Sequence, residues 1–221
     1  MSTGQYEAKQ HYQDPAVANA YEEQRFRGWG GRFVERAERR LLEQFLVSHC
    51  RAGETVLDVP CGTGRFLDIY SAAGLQVFGC DISNQMLAKA RQRIVNGRES
   101  RFVVAEAERL GFKDNSFDYL VSFRFILHLP AEVRRLVLSE MVRVTRRTLA
   151  INFYFSYPTP VLLINQLFRR KESIPPHRFR ESRLAAEFEG LGVEIREVHK
   201  LSWFDRNWAL VILERHRGKQ T

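Results

Sequence analysis

Residues 56 to 66 read Val-Leu-Asp-Val-Pro-Cys-Gly-Thr-Gly-Arg-Phe, and this stretch decides the fold. Three of the four residues at positions 56–59 are apolar, which is typical of a short buried strand. Gly62 and Gly64 then let the backbone turn tightly into a helix that we expect to open near Arg65. The N–H groups at the start of a helix favour partial negative charge, and a turn without side chains lets a ligand approach the main chain.

A second apolar run ends in a carboxylate. Residues 77–81 read Val-Phe-Gly-Cys-Asp and predict a second strand, with Asp81 at its C-terminal end 17 residues past Gly64. A carboxylate in this position is placed to accept hydrogen bonds from a ribose diol, so the pattern predicts an adenosine-like ligand. A dinucleotide fingerprint needs a third glycine at position 67, where the chain has Leu67, and this disfavours NAD and FAD.

These segments resemble class I S-adenosylmethionine-dependent methyltransferases over roughly residues 50–150. Asp81 matches the acid that binds the ribose hydroxyls in that family, and Asp58 matches the motif I acid that holds the methionine end of the cofactor. Residues 106–112 resemble a family segment whose first acid lies beside the adenine amino group, and residues 115–121 resemble the fourth strand. The nearest likeness is to small-molecule methyltransferases that include the quinone C-methyltransferases.

The resemblance implies S-adenosyl-L-methionine as cofactor and a set of cofactor-binding residues, and we expect no metal. The set consists of Asp58, Pro60, Cys61, Gly62, Gly64, Asp81, Ile82, Met86, Glu106, Ala107 and Arg124, with Tyr12, Tyr21 and Arg25 on an N-terminal helix. Two members depart from the commonest family pattern. Pro60 stands where the first glycine is usual and removes one backbone donor, and Glu106 replaces an Asp.

Methyl transfer from a sulfonium is an in-line substitution, so the enzyme mainly aligns the nucleophile and excludes water. The resemblance implies that the acceptor site is built by the N-terminal segment at 6–25, the loop after the fourth strand at 123–128 and the insertion after the fifth at 154–177. The candidate acceptor residues are Phe125, Tyr154, Phe155, Leu163 and His177. His128 is a candidate proton acceptor, with a histidine bonded to main chain as the alternative. Arg124 is a candidate for the cofactor carboxylate, an acidic acceptor or a surface ion pair.

The 221-residue chain is long enough for one α/β domain. We expect a doubly wound, mostly parallel seven-stranded sheet with a C-terminal antiparallel hairpin, the Rossmann-like methyltransferase fold. Within it we expect a helical cap at 1–49 with a break at 28–31, and a cofactor-binding core at 50–150. An acceptor lid at 151–180 and a closing helix and hairpin at 181–221 would follow. Its ligands should sit at the carboxyl ends of the strands.

Lys and Arg number 34 against 26 acids, a formal net charge of +8. Such a charge favours phosphates, nucleic acid or an anionic membrane surface. Basic runs such as 36–40 alternate with acids at helical spacing, however, which indicates solvated helix faces. The apolar lid ends in cations, which suits an aromatic or lipid-like acceptor or peripheral contact with an anionic membrane. Burial of the lid against the core is the alternative.

Three function hypotheses remain from the sequence. The leading one is methyl transfer to a small hydrophobic or aromatic molecule. An RNA methyltransferase is disfavoured, because no Asn-Pro-Pro-Tyr-type motif follows the fourth strand, and a non-catalytic cofactor-binding partner protein is the third. The N-terminus lacks a signal-peptide pattern and no apolar run is long enough to span a bilayer, so we expect a cytoplasmic protein. The three cysteines lack metal-ligand spacing, and we expect them to be reduced packing residues.

Overall fold

The structure, a computed structural model, describes residues 9, 28–93, 100–155, 179–201 and 207–216. Seven strands and five α-helices occupy these ranges. They are, in chain order, α1 (Gly28–His49), β1 (Thr55–Asp58), α2 (Leu67–Ala72), β2 (Gln76–Asp81), α3 (Asn84–Gln92), β3 (Ser100–Val104), β4 (Phe117–Ser122), α4 (Ala131–Val144), β5 (Thr145–Tyr154), α5 (Leu184–Phe188), β6 (Val193–Lys200) and β7 (Trp208–Arg215). Short 3₁₀ turns at Ile126–His128 and Glu181–Arg183 precede α4 and α5.

The strands form one sheet in the order β3-β2-β1-β4-β5-β7-β6. Strands β1 to β5 pair in parallel, and β7 lies antiparallel between β5 and β6. The predicted mostly parallel sheet with a closing antiparallel hairpin is therefore confirmed. The chain runs outward from β1 to β3 and then returns to the other side of β1 with β4. This reversal leaves a crevice at the carboxyl ends of β1 and β4, where open α/β sheets bind their ligands.

Helices cover both faces of the sheet because strand side chains alternate between two buried clusters. In β4, Leu120 joins the cluster formed with α4 and α5, whereas Tyr119 and Val121 join the cluster formed with α1, α2 and α3. All six residues of β4 are buried, as expected for a central parallel strand. The crevice thus lies at the end of a sheet whose two faces are both covered by helices.

The predicted helix break at 28–31 is wrong, because α1 begins at Gly28 and includes these residues in its first turn. The same helix inserts Leu42, Phe45 and Leu46 into the core. This packing outweighs the weak helix propensity of glycine, whose cost is about 1 kcal/mol per residue. The closing helix predicted within residues 181–221 is divided into the second 3₁₀ turn and α5.

None of the helices in the described ranges is both long and apolar enough to cross a bilayer. The three cysteines are unpaired, and Cys61 and Cys80 are buried. Burial raises the pKa of Cys80 to about 12, which keeps its thiol protonated at neutral pH.

Candidate active site

A cavity opens at the carboxyl ends of β1, β2 and β4, where the fold predicts ligand binding. Its walls combine backbone of the loop after β1 with apolar and charged side chains from neighbouring strand ends. The lining residues are Lys9, Asp58, Val59, Pro60, Cys61, Gly62, Thr63, Arg65, Phe66, Asp81, Ile82, Met86, Ala105, Ala107, Glu108, Phe123, Arg124 and Phe125. Ten of the predicted cofactor or acceptor residues are therefore brought together at one site.

The loop after β1 is held by its glycines and by Asp81. Gly62 has φ +54°, and its N–H donates to Oδ2 of Asp81 at 2.9 Å. Gly64 has φ +74°, and a Cβ at this position would lie 2.6 Å from Cδ1 of Leu67. Gly64 does not line the cavity, so its contribution is to the shape of the turn. Glycine suits this position because it accepts both the positive φ and the close approach of α2.

Asp81 ends β2 and bonds to two backbone donors. Besides Gly62, the N–H of Ser83 donates to its Oδ1 at 2.9 Å. Burial raises the pKa of Asp81, although these N–H donors act in the opposite direction. The two carboxylate oxygens have about four lone-pair sites together, so the carboxylate can accept a further hydroxyl hydrogen bond from the cavity.

Asp58 ends β1 and lines the cavity. Its side chain is buried, and burial raises its pKa to about 7, against the attraction of the Arg65 guanidinium. An acid held in this way ionises readily when a positive group enters the cavity, because the new charge stabilises the carboxylate. Asp58 is thus suited to a cationic ligand.

The segment after β3 departs from the sequence prediction. Glu106 does not line the cavity, whereas Glu108 does. A short antiparallel bridge between Glu106 and Arg109 orients the segment, and the Glu106 side chain is 54% exposed. Lys9 joins the two acids, with Nζ 3.0 Å from Oε1 of Glu106 and 3.4 Å from Oε1 of Glu108. Sequence reasoning missed Lys9 and the cavity-facing acid.

The loop after β4 presents Arg124 to the cavity. Its φ is +55°, and its N–H donates to Oδ1 of Asn152 at 3.2 Å. The Arg124 guanidinium bonds to Glu38 of α1, which also pairs with Arg65 of the loop after β1. Glu38 lies in the 36–40 run that the alternation of charges predicted to be solvated. It is instead buried, because it stands between these two arginines.

His128 lies in the first 3₁₀ turn and is buried. Its backbone N–H donates to the carbonyl of Phe125 at 2.9 Å, and its side chain does not line the cavity. This backbone bond belongs to the 3₁₀ turn, so bonding of the ring to main chain stays the alternative. Its role as a proton acceptor stays a prediction.

Tyr154 and Phe155 end up in the packed part of the sheet. The Tyr154 ring packs on Trp208 with centroids 4.8 Å apart. Phe155 is fully buried and stacks on Phe153. Neither residue lines the cavity, which agrees with the alternative of burial against the core: β5 extends to Tyr154, and Phe155 follows directly after it. Their role in acceptor binding stays a prediction. Tyr12, Tyr21, Arg25, Leu163 and His177 lie outside the described residues.

The central part of the chain is similar to a known protein family. Residues 56–148 match the family described as "Methyltransferase domain". This segment is a methyltransferase domain. The resemblance predicted from the motifs is therefore confirmed. The match begins at β1 and ends within β5, so the domain contains the loop after β1, Asp81 and the loop after β4.

Two curated relatives share the methyltransferase domain. A demethylmenaquinone methyltransferase of Paenarthrobacter aurescens is 38% identical over 96 residues, covering 43% of this chain and 36% of the relative. A phosphatidylethanolamine N-methyltransferase of Cereibacter sphaeroides is 32% identical over 127 residues, covering 55% of this chain and 61% of the relative. The chain thus covers less than two thirds of either protein.

Similarity in structure extends beyond the matched segment. Magnesium protoporphyrin IX methyltransferase from Synechocystis PCC 6803, crystallised with bound SAH, superposes with a TM-score of 0.73 at 16% identity. The superposition covers 94% of this chain and 98% of that protein. At this identity the likeness shows the fold, and the fold is the Rossmann-like methyltransferase architecture predicted from the sequence.

Proposed function

We propose that this protein transfers the methyl group of S-adenosylmethionine to a small hydrophobic or aromatic acceptor. One observation carries the proposal: Asp58, the glycine turn and Asp81 surround a single cavity at the point where the strand order reverses. The turn offers close backbone approach, Asp81 offers free acceptor positions for a ribose diol, and Asp58 suits the cationic methionine end of the cofactor.

The reaction needs alignment more than proton transfer. A nucleophilic atom of the acceptor attacks the methyl carbon in line with the C–S bond, which breaks as the sulfonium becomes a neutral thioether. Positive charge leaves the sulfur during this step, so an apolar wall costs the transition state little. Phe66, Phe123 and Phe125 supply such a wall next to the charged residues.

The chemistry of the acceptor is inferred from this wall and from the relatives. Aromatic rings pack well against a flat conjugated molecule. The relatives named for demethylmenaquinone and for phosphatidylethanolamine act on molecules that their names describe as a quinone and a lipid. We infer an apolar acceptor of the quinone or phenol type. The chain would act as one domain, with α1 as part of an N-terminal cap.

Isothermal titration with S-adenosylhomocysteine, the reaction product, tests the cofactor part. Asp81→Ala should weaken binding by about 1 to 3 kcal/mol, because the ribose loses charge-assisted hydrogen bonds. Asp114→Ala is a matched control, since this acid is 70% exposed and precedes β4 at the opposite end of the sheet. Unchanged affinity in a folded Asp81→Ala protein would refute the assignment.

The acceptor part requires transfer of a labelled methyl group. The wild-type protein, loaded with labelled S-adenosylmethionine, should label apolar phenols or reduced quinones in preference to RNA. A protein that binds the cofactor but labels only RNA would contradict the small-molecule acceptor.

A further inference from the structure

The residues between β3 and β4, all within the described part of the chain, belong to no helix or strand and yet form one wall of the cavity. We call residues 105–116 the wall segment. Ala105, Ala107 and Glu108 of this segment line the cavity, and a short bridge joins Glu106 to Arg109. Since the segment lies outside the regular elements, its position must be set by contacts with other parts of the fold.

Two side chains of α4 hold the main chain of the wall segment. The N–H of Leu110 donates to Oε2 of Glu140 at 3.1 Å, and Nη1 of Arg143 donates to the carbonyl of Phe112 at 2.8 Å. We call these the two anchoring hydrogen bonds. A further bond joins the main chains, since the N–H of Asn115 donates to the carbonyl of Arg143 at 2.9 Å. The wall segment is thus attached to α4 through its backbone.

Glu140 and Arg143 also fix each other. Nε of Arg143 donates to Oε1 of Glu140 and its Nη2 donates to Oε2, both at 2.8 Å, so the guanidinium meets both carboxylate oxygens in a fork. Hydrogen bonds from Arg143 hold the pKa of Glu140 below its ordinary value, although partial burial acts in the opposite direction. Because both groups stay charged at neutral pH, each keeps the other directed at the wall segment.

Burial fixes both ends of the two anchoring hydrogen bonds. On the side of α4, Leu138 and Met141 are fully buried in the core. On the side of the wall segment, Leu110 is 1% exposed, and the Phe112 ring packs edge-on against Phe117 of β4 with centroids 4.8 Å apart. The attachment therefore joins two parts of the chain that are each held by packing.

Glu108 carries the effect of this attachment into the cavity. It lies two residues before Leu110, its side chain is 13% exposed, and it lines the cavity, whereas the two α4 residues do not. Across the sheet, Asp58 ends β1, Asp81 ends β2, and the wall segment follows β3. A ligand with its amino-acid end on Asp58 and its ribose on Asp81 therefore places its nucleobase beside the wall segment.

We propose that Glu140 and Arg143 are positioning residues for recognition of the nucleobase: through the backbone of the wall segment they hold Glu108 where its carboxylate accepts a hydrogen bond from the adenine amino group. Lys9 donates to Oε1 of Glu108, and acceptor positions remain, since the two oxygens have about four lone-pair sites together. The inference rests on the proposed function, because the amino group belongs to the adenine of S-adenosylmethionine.

Two ligands that differ only at the nucleobase test the proposal by isothermal titration. S-Adenosylhomocysteine carries the adenine amino group, whereas S-inosylhomocysteine has in its place a carbonyl oxygen, which cannot donate to Glu108. The variants are Glu140→Ala, which removes the fork and the acceptor of the Leu110 N–H, and Arg143→Lys, which keeps the charge but not the fork. Asp114→Ala is the control, because Asp114 pairs with Arg143 at 2.7 Å but is 70% exposed and takes part in neither anchoring hydrogen bond.

Wild type should bind S-adenosylhomocysteine about tenfold more tightly than S-inosylhomocysteine, since one charge-assisted hydrogen bond separates them. Folded Glu140→Ala should bind S-adenosylhomocysteine about fivefold more weakly and S-inosylhomocysteine within about twofold of wild type, because only the adenine ligand depends on the placement of Glu108. Arg143→Lys should act in the same direction by about threefold, and the control should match wild type. A merely structural role of the pair would instead weaken the binding of both ligands equally.

Thermal melts identify the folded variants, and Arg143→Lys decides alone if Glu140→Ala does not fold. An unchanged ratio of the two affinities in the folded variants would overturn the positioning role. Equal affinity of wild type for the two ligands would overturn the adenine contact and leave the cofactor assignment standing. Wild-type protein that binds neither ligand would overturn the proposed cofactor, and the inference with it.

Discussion

Replacement of Asp58 by Asn should change how the stability of this protein depends on pH. Asp58 is 3% exposed, and burial raises its pKa from an ordinary 3.8 to about 7. The charged groups that act on it are Arg65, which lowers the pKa, and Asp81, which raises it. Because the folded state holds the Asp58 proton more tightly than the unfolded state, protonation stabilises the fold at low pH. This stabilisation disappears as the pH rises through about 7.

The magnitude follows from the two pKa values. Each pH unit between them is worth about 1.4 kcal/mol, so the full contribution approaches 4 kcal/mol below about pH 4. Between about pH 5 and about pH 8 the wild-type protein should lose roughly 3 kcal/mol of unfolding free energy from this one group. Asparagine has a similar shape and no proton to lose, so the Asp58→Asn variant lacks this contribution.

Urea denaturation of both proteins at the two pH values measures the effect. The difference in unfolding free energy, variant minus wild type, should be larger by roughly 3 kcal/mol at about pH 8 than at about pH 5. Titrating groups that do not interact with Asp58 are shared by the two proteins and cancel in this comparison. A difference that is the same at both pH values would refute the raised pKa of Asp58. S-Adenosylhomocysteine titration of the same variant should show weaker binding, because the cationic amino-acid end loses its counter-charge.

The remaining predictions concern the glycine turn and the buried histidine. Gly64→Ala should destabilise the fold by about 2 kcal/mol or more, since its φ is +74° and the added Cβ would lie 2.6 Å from Leu67. Gly53→Ala separates the two causes in the same urea assay, because Gly53 has φ +86° and open space around its Cβ position; equal losses would exclude the crowding argument. If His128 accepts a proton, His128→Ala should lower methyl transfer about 10²-fold with unchanged cofactor affinity, and full turnover would leave it a structural residue.

Much of the site could be predicted from the chain because its signals are local. The apolar run, the two glycines and Asp81 each belong to one strand or one turn, and their meanings do not depend on distant residues. Parallel strands bring their carboxyl ends to one edge, so a correct sequence of strands already places Asp58 and Asp81 together. The cavity lining agrees with this expectation.

The sequence left the placement of a side chain open where more than one environment was available to it. Position 106 and position 108 both carry Glu, and only the bridge to Arg109 decides which one faces the cavity. Phe155 belongs to an apolar segment, and an apolar segment can either form a lid or pack in the core. It is buried because β5 continues to Tyr154 and pairs with β7 along its length.

The sequence by itself therefore determined the class of fold, the methyltransferase domain and the residues of the glycine turn, since short-range periodicity and turn chemistry encode them. Only the tertiary structure decided that Glu38 is buried between two arginines. Its partner Arg124 is 86 residues away, and the spacing of charges along α1 indicates a solvated face. Contacts over such separations depend on how helices and loops pack against the sheet, and packing is a property of the folded chain as a whole.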